Sequence, residues 1–147
     1  MSLVVPPDLI SIPLGPNEVL VQGATDGNLT PIEIWAVGPA GVQPQPRGGE
    51  ALLGWLEAAA WVPRAGVGGV TDTSDEGEGE VLLPAGRAYR VARTAQPGTP
   101  EASRVVVYAI ATERGFAVLR ILGHPDAVGA RAEELALVPM LAEFEAP

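Results

Sequence analysis

The chain has 147 residues, with nine arginines, no lysine, 18 acidic residues and a single histidine, and its formal net charge is −9 at pH 7. This length fits one domain. The absence of cysteine excludes disulfides, thiolate zinc sites, iron–sulfur clusters and cysteine nucleophiles. Because no basic run offsets the acidity, we expect neither nucleic acid nor an anionic membrane surface as a partner.

The start of the chain bears on the compartment. No basic region precedes Pro6 and Pro7, so a signal peptide is not predicted. The longest apolar run, residues 105–111, is far shorter than the ~20 residues that span a bilayer. We therefore expect a cytoplasmic protein, or an exported one if residues 1–3 are a vector remnant that replaces a native leader.

Three short strands are predicted in the first third of the chain, at residues 9–14, 18–22 and 32–37. Glycine, proline, asparagine and aspartate separate them, which is the composition of tight turns. Beyond a loop rich in proline and glutamine, leucines and alanines recur at helical spacing. This spacing predicts an amphipathic helix over residues 49–61 that ends before Pro63.

The second half of the chain begins with a predicted glycine-rich acidic loop or weak edge strand at residues 66–80. Strands at residues 81–83 and 87–94 follow. The strongest strand signal lies at residues 104–112, where the side chains on both faces are apolar, as is typical of a strand in the middle of a covered sheet. A tight turn then predicts a hairpin with residues 116–122.

Residues 126–144 are predicted as a final amphipathic helix. Pro125 lies at its start, where the missing N–H has no cost, and Pro139 should kink it. The order of three strands, a helix, three or four strands and a second helix predicts an α+β protein with an antiparallel sheet covered by helices.

Two local features are similar to a known family: residues 83–91 (LPAGRAYRV), which lead into a strand, and residues 140–144 (MLAEF) at the end of the last helix. With the element order, they resemble the PsbP-like fold of photosystem PsbP proteins, Mog-type Ran-binding factors and LpqN-like lipoproteins. The resemblance implies an antiparallel sheet between helices, an α/β/α sandwich, and a binding or accessory role, because members of this fold are mostly not enzymes. The chain lacks the lipobox cysteine of LpqN-like proteins.

Five carboxylates fall within nine residues, and hard cations prefer oxygen ligands from closely spaced acids. An EF-hand register that starts at Asp72 fails, because its twelfth position is Leu83. We expect a solvated acidic surface, with a weak cation site and a docking surface for a basic partner as the alternatives. The five residues are Asp72, Asp75, Glu76, Glu78 and Glu80.

The single histidine, His124, is followed by Pro125 and Asp126, and we expect this tripeptide to cap the last helix. The alternative is a hydrolase that uses His124 with carboxylates. Catalysis of that kind needs a nucleophile, and no serine of the chain lies in a nucleophile-elbow motif. We therefore predict that the protein is not an enzyme.

Arg90 and Arg120 interrupt strand faces that are otherwise apolar. A partly buried arginine needs a carboxylate, and we expect internal ion pairs with Glu33 or Glu113; the alternative is a site for an anionic ligand.

The tryptophans Trp35, Trp55 and Trp61 are expected to pack in the core, because large aromatic side chains dominate core burial. If Trp35 or Trp61 is exposed, an interaction surface becomes the better interpretation.

We predict a non-catalytic binding or accessory module for an unidentified protein partner, with no cofactor and no metal. The main alternative is a small acidic secretion-type chaperone that acts as a dimer, because its size and acidity suit that class. The chain is accordingly expected as a monomer or a homodimer.

Overall fold

The computed structural model describes residues 9–15, 18–23, 32–37, 49–83, 86–112, 115–129 and 132–133. Within these ranges the chain forms seven strands and one helix. Their bounds are β1 Leu9–Gly15, β2 Glu18–Gly23, β3 Ile32–Val37, α1 Gly49–Ala58, β4 Thr73–Leu83, β5 Gly86–Ala95, β6 Ser103–Thr112 and β7 Gly115–Gly123. No helix in these ranges combines the length and apolar character that crossing a bilayer requires.

All seven strands form one antiparallel sheet with the spatial order β1-β2-β3-β7-β6-β5-β4. Two meanders, β1 to β3 and β4 to β7, meet where β3 pairs with β7. The connection that contains α1 leads from β3 to β4 at the far side of the sheet. Among the strands that the structure describes, the sheet is therefore open, with β1 and β4 as its two edges.

The strand β6 is buried on both faces, which confirms the prediction from its double apolar pattern. Val106 and Val107 point to opposite faces and are both 0% exposed. We call face A the side on which Val106 packs against Val128, in the segment after β7. We call face B the opposite side, on which Val107 packs against Leu56 of α1.

The helix α1 ends at Ala58, before the predicted end at residue 61. The amide of Trp61 donates to the carbonyl of Leu56 at 2.9 Å, and the amide of Ala60 donates to the carbonyl of Glu57 at 3.1 Å. Ala60 has a φ of 62°. This is a Schellman motif, in which a residue in the left-handed region reverses the chain. Because Trp61 is buried after the reversal, the apolar pattern continues beyond the end of the helix.

The acidic segment expected as a loop or weak edge strand forms the edge strand β4 from Thr73 onward. The strand predicted at residues 81–83 is the end of β4. The register with β5 shifts between Asp75 and Gly77, and Gly77 has a φ of 123°, so a bulge interrupts this edge.

The predicted α/β/α sandwich is wrong. The described residues form a mainly antiparallel β structure in which α1 is the single helix with defined bounds. The final helix was expected from Asp126, but residues 124–129 form turns, because the carbonyl of His124 accepts the amides of Ala127 at 2.9 Å and Val128 at 3.0 Å. Ala132 and Glu133 are helical, and the rest of the predicted helix, with Pro139, lies outside the described residues.

Candidate binding surface

Face A carries a partly buried ion pair between Arg90 of β5 and Glu133. Arg90 Nη2 donates to Glu133 Oε1 at 2.7 Å, and Arg90 Nε donates to Oε2 at 3.1 Å. Tyr108 lies opposite Arg90 in the register of β5 and β6, and its hydroxyl also donates to Glu133 Oε2. The internal pairing expected for Arg90 is thus confirmed, but with Glu133 instead of Glu33 or Glu113.

This ion pair perturbs the titration of its members. Burial raises the pKa of Glu133, but the hydrogen bonds from Arg90 and Tyr108 and the charges of Arg90 and Arg104 outweigh burial, so the pKa lies below its ordinary value. Burial, together with the hydrogen bond to Glu133, raises the pKa of Tyr108 to about 12. The hydrogen bond to Glu133 likewise raises the pKa of Arg90.

Arg104 of β6 extends the same network. Its Nε donates to Glu76 Oε2 at 2.9 Å, and its Nη1 donates to the carbonyl of Val128 at 2.8 Å and lies 3.6 Å from Glu133 Oε1. Thr94 donates its hydroxyl to the same carboxylate of Glu76. Among the described residues, two arginines face two glutamates here, so the network is electrically balanced, and it fastens Val128 and Glu133 to the sheet. It offers no uncompensated charge to a ligand.

Face B has a smaller polar cluster around Arg93 of β5. Arg93 donates through Nη1 to the carbonyl of Pro63 at 2.9 Å and through Nε to Asp75 of β4, and Glu57 of α1 lies 3.8 Å away. Arg93 is 7% exposed. These contacts join α1 and the edge strand β4 to β5, the strand next to that edge.

The five predicted acidic site residues do not converge. Glu76 faces Arg104, Asp75 faces Arg93, and Glu80 forms an ion pair with Arg87 in which both side chains are at least 70% exposed. Asp72 accepts the amide of Thr73 at 2.9 Å, and Glu78 is exposed on the strand. Among the described residues, no group of three potential ligands is arranged to hold a metal ion.

The tryptophans Trp35 of β3 and Trp61 stack on face B, with ring centroids 4.2 Å apart and an interplanar angle of 31°. Trp61 is 8% exposed, whereas Trp35 and Trp55 are partly buried at the margin of the core. The guanidinium of Arg120 lies over the Trp35 ring, 6.0 Å from its centroid. The predicted packing in the core is therefore complete for Trp61 and partial for Trp35.

Arg120 of β7 does not form the expected ion pair with a described carboxylate. Its Nε is buried without a hydrogen-bond partner, and burial lowers the pKa of Arg120, while the charge of Glu33 acts in the opposite direction. The nearby acids have other partners: Glu33 accepts Gln22 Nε2 at 2.8 Å, and Glu18 accepts Trp35 Nε1 at 2.6 Å. The other expected partner, Glu113, lies outside the described residues.

The apolar residues packed on face B continue outward to an exposed apolar edge. The strand registers place Ile12 opposite Leu20, Leu20 opposite Trp35, and Trp35 opposite Arg120, in one row across face B. At the outer end of this row Ile12 is 39% exposed. The neighbouring apolar residues of β1, Ile10 and Leu14, are 70% and 52% exposed. We call the side chains of Ile10, Ile12 and Leu14 the β1 strip.

His124 lies at the surface. Its side chain is 40% exposed, its Nδ1 accepts the amide of Asp126 at 3.2 Å, and Asp126 Oδ2 lies 3.4 Å away. The tripeptide closes a turn ahead of the helical residues Ala132 and Glu133 and does not itself begin a helix. In the described part of the chain, Asp126 is the carboxylate that His124 contacts.

Sequence reasoning did not identify Glu133 or the β1 strip. A signal for Glu133 was present, since Arg90 and Tyr108 alternate onto the same face of adjacent strands and both require a polar partner when buried. The exposure of the β1 strip had no such signal, because its alternating pattern is equally typical of an edge strand whose apolar face is covered.

A comparison with models of known protein families and with curated protein sequences finds no match for this chain. The resemblance to PsbP-like proteins therefore stays a prediction.

Proposed function

We propose that the protein is a non-catalytic binding module that takes an apolar, basic segment of a partner protein on the β1 strip. The observation that carries the proposal is the exposure of Ile10, Ile12 and Leu14 side by side on an edge strand. Single exposed apolar residues are ordinary on a protein surface, whereas a contiguous apolar strip is typical of an interaction site.

The row that joins the strip to Trp35 supports the same proposal. Leu20 and Trp35 extend the apolar surface inward from Ile12, and Trp35 is only partly buried. Aromatic side chains at the margin of a core are characteristic centres of binding energy, because they offer a large rigid surface at little conformational cost. The partner segment would therefore lie across β1 and β2 toward Trp35.

Charge favours a basic partner segment. Glu18 and Glu33 lie on face B beside the row, because they are opposite Val37 and Gln22 in the register of β2 and β3. The whole chain carries a formal net charge of −9, so its field attracts basic segments and repels nucleic acid and anionic membranes. This arrangement supports a protein partner over either of those.

A peptide-display selection tests the proposal. The wild-type chain should select peptides that combine apolar side chains with arginine or lysine, and Ile12→Glu should weaken their binding about tenfold or more, because it places a charge within the apolar strip. The matched control is Leu82→Glu, which changes an 83% exposed apolar residue at the other edge of the sheet. Selection of acidic peptides, or equal losses in both variants, would contradict the proposal.

The location of the protein in the cytoplasm stays a prediction. It is tested by detecting the protein in fractions of its source cells. Recovery from a membrane or extracellular fraction would contradict it.

A further inference from the structure

The two edges of the open sheet differ in charge. The edge strand β4 has the sequence TSDEGEGEVLL, with four carboxylates and the bulge between Asp75 and Gly77. The edge strand β1 has the sequence LISIPLG, with no charged residue, and exposes the β1 strip. The register of β1 with β2 also shifts, between Pro13 and Gly15, so what distinguishes the two edges is that β4 has charged side chains, which protect a sheet edge, and β1 has none.

Among the described strands, the uncharged edge at residues 9–13, ahead of the irregularity in β1, offers backbone groups to a further strand. If β1 paired with β4 of another copy, the same contact would repeat without closing, and the carboxylates and bulge of β4 oppose it. If β1 pairs with β1 of another copy, the assembly closes as a dimer, and no like charges meet across the new seam. The charge difference between the edges thus favours a second copy of this chain as the occupant of β1.

We propose that two copies pair through β1, antiparallel, about a two-fold axis at Ser11. A proline in an edge strand turns its nitrogen away from the neighbouring strand, because it has no hydrogen to donate. Pro13 is opposite Val19 of β2, so its outward orientation makes the amides of Ser11 and Leu9 point outward as well. Each Ser11 then exchanges two hydrogen bonds with its counterpart, and each Leu9 amide donates to the Pro13 carbonyl of the second copy.

This register also accounts for the exposed side chains. With the axis at Ser11, Ile10 of each copy lies opposite Ile12 of the other, so two apolar cross-strand pairs form on face B. The two β1 strips become one continuous surface across the axis. The inference goes beyond the proposed function and uses the backbone edge of β1, whereas peptide docking uses the side chains on its face.

Substitution of Ser11 by charged residues tests the dimer, because Ser11 is exposed and would lie beside Ser11 of the second copy. Sedimentation velocity of the full chain from about 1 µM to about 500 µM should show a dimer. Ser11→Lys and Ser11→Glu should each lower the dimer fraction at least about tenfold, because like charges then meet at the axis. An equimolar mixture of the two variants should restore a dimer, which native mass spectrometry identifies as the mixed species.

The matched control is Ser74→Lys on β4, also at an exposed serine, which should leave the dimer intact. Added salt should strengthen association of the wild-type chain, because two acidic copies meet at an uncharged seam. A wild-type monomer over the whole range, a dimer that persists in Ser11→Lys, or a dimer that salt dissociates would overturn the inference. None of these outcomes depends on peptide binding, so failure of this inference is distinct from failure of the proposed function.

Discussion

Arg90 and Glu133 form a two-pronged ion pair that joins the strand β5 to the segment after β7, with N–O distances of 2.7 and 3.1 Å. The side chains are 26% and 11% exposed, respectively. Both partners also bond Tyr108, whose hydroxyl lies between them. Because each group satisfies the others in a partly buried environment, removal of one leaves an uncompensated charge beside a core.

We expect Arg90→Met to lower the free energy of unfolding by about 3 kcal/mol, since it leaves the Glu133 carboxylate largely without its counter-charge. Urea denaturation measures the change. The matched control is Arg87→Met on the same strand, where the ion pair with Glu80 is exposed on both sides and the loss should stay below about 1 kcal/mol. Equal losses in the two variants would show that the ion pair on face A adds no more stability than the exposed one.

The pH dependence of stability should identify Glu133 as well. Its folded pKa lies below the ordinary value of 4.5, so ionised Glu133 stabilises the fold above that pH, and the contribution is lost as the pH falls toward the folded pKa. The stability difference between wild type and Glu133→Gln should therefore be constant near neutral pH and shrink below about pH 4.5. Urea denaturation over this range tests the expectation, and a difference that does not change with pH contradicts it.

Arg120 should behave in the opposite way from Arg90. Its Nε is buried without an acceptor, which costs about 1–3 kcal/mol, whereas its contact with Trp35 contributes about 0.5–1 kcal/mol. We therefore expect Arg120→Met to leave the free energy of unfolding unchanged or to raise it by about 1 kcal/mol. Comparison with Arg90→Met makes the test specific, and a loss as large as that of Arg90→Met would mean that Arg120 has a stabilising partner.

The two arginines show what the sequence can predict about this fold and what it cannot. Alternation along β5 and β7 places Arg90 and Arg120 on buried faces, and that much follows from a period of two. Which carboxylate reaches each arginine depends on the path of the chain after β7, and a long-range contact of that kind leaves no local pattern. Local alternation of apolar and polar residues predicts the strands well. It predicts neither Glu133 nor the open edge at β1, because both depend on contacts between distant parts of the chain.

The helices were predicted less well than the strands, for a related reason. Apolar spacing marks the face that a segment buries, whether or not its backbone is helical, so Trp61 was assigned to α1 although it follows the reversal at Ala60. At the other end of the chain, the turn at His124 separates β7 from the helical residues Ala132 and Glu133. The predicted order of strands and helices was therefore closer to the structure than the α/β/α sandwich inferred from that order.

The reversal at Ala60 gives a prediction about stability that is independent of charge. Ala60 is exposed and occupies the left-handed region with a φ of 62°, where a Cβ is unfavourable and glycine is not. Ala60→Gly should therefore raise the free energy of unfolding by about 0.5–1 kcal/mol, because relief of this strain exceeds the added entropy of the unfolded chain. The matched control is Ala58→Gly, two residues earlier at the exposed end of α1, where the same change should cost up to about 1 kcal/mol. Opposite signs for the two variants in thermal or urea denaturation would confirm that Ala60 is the residue at which the helix stops, whereas destabilisation in both would mean that the left-handed conformation carries no strain.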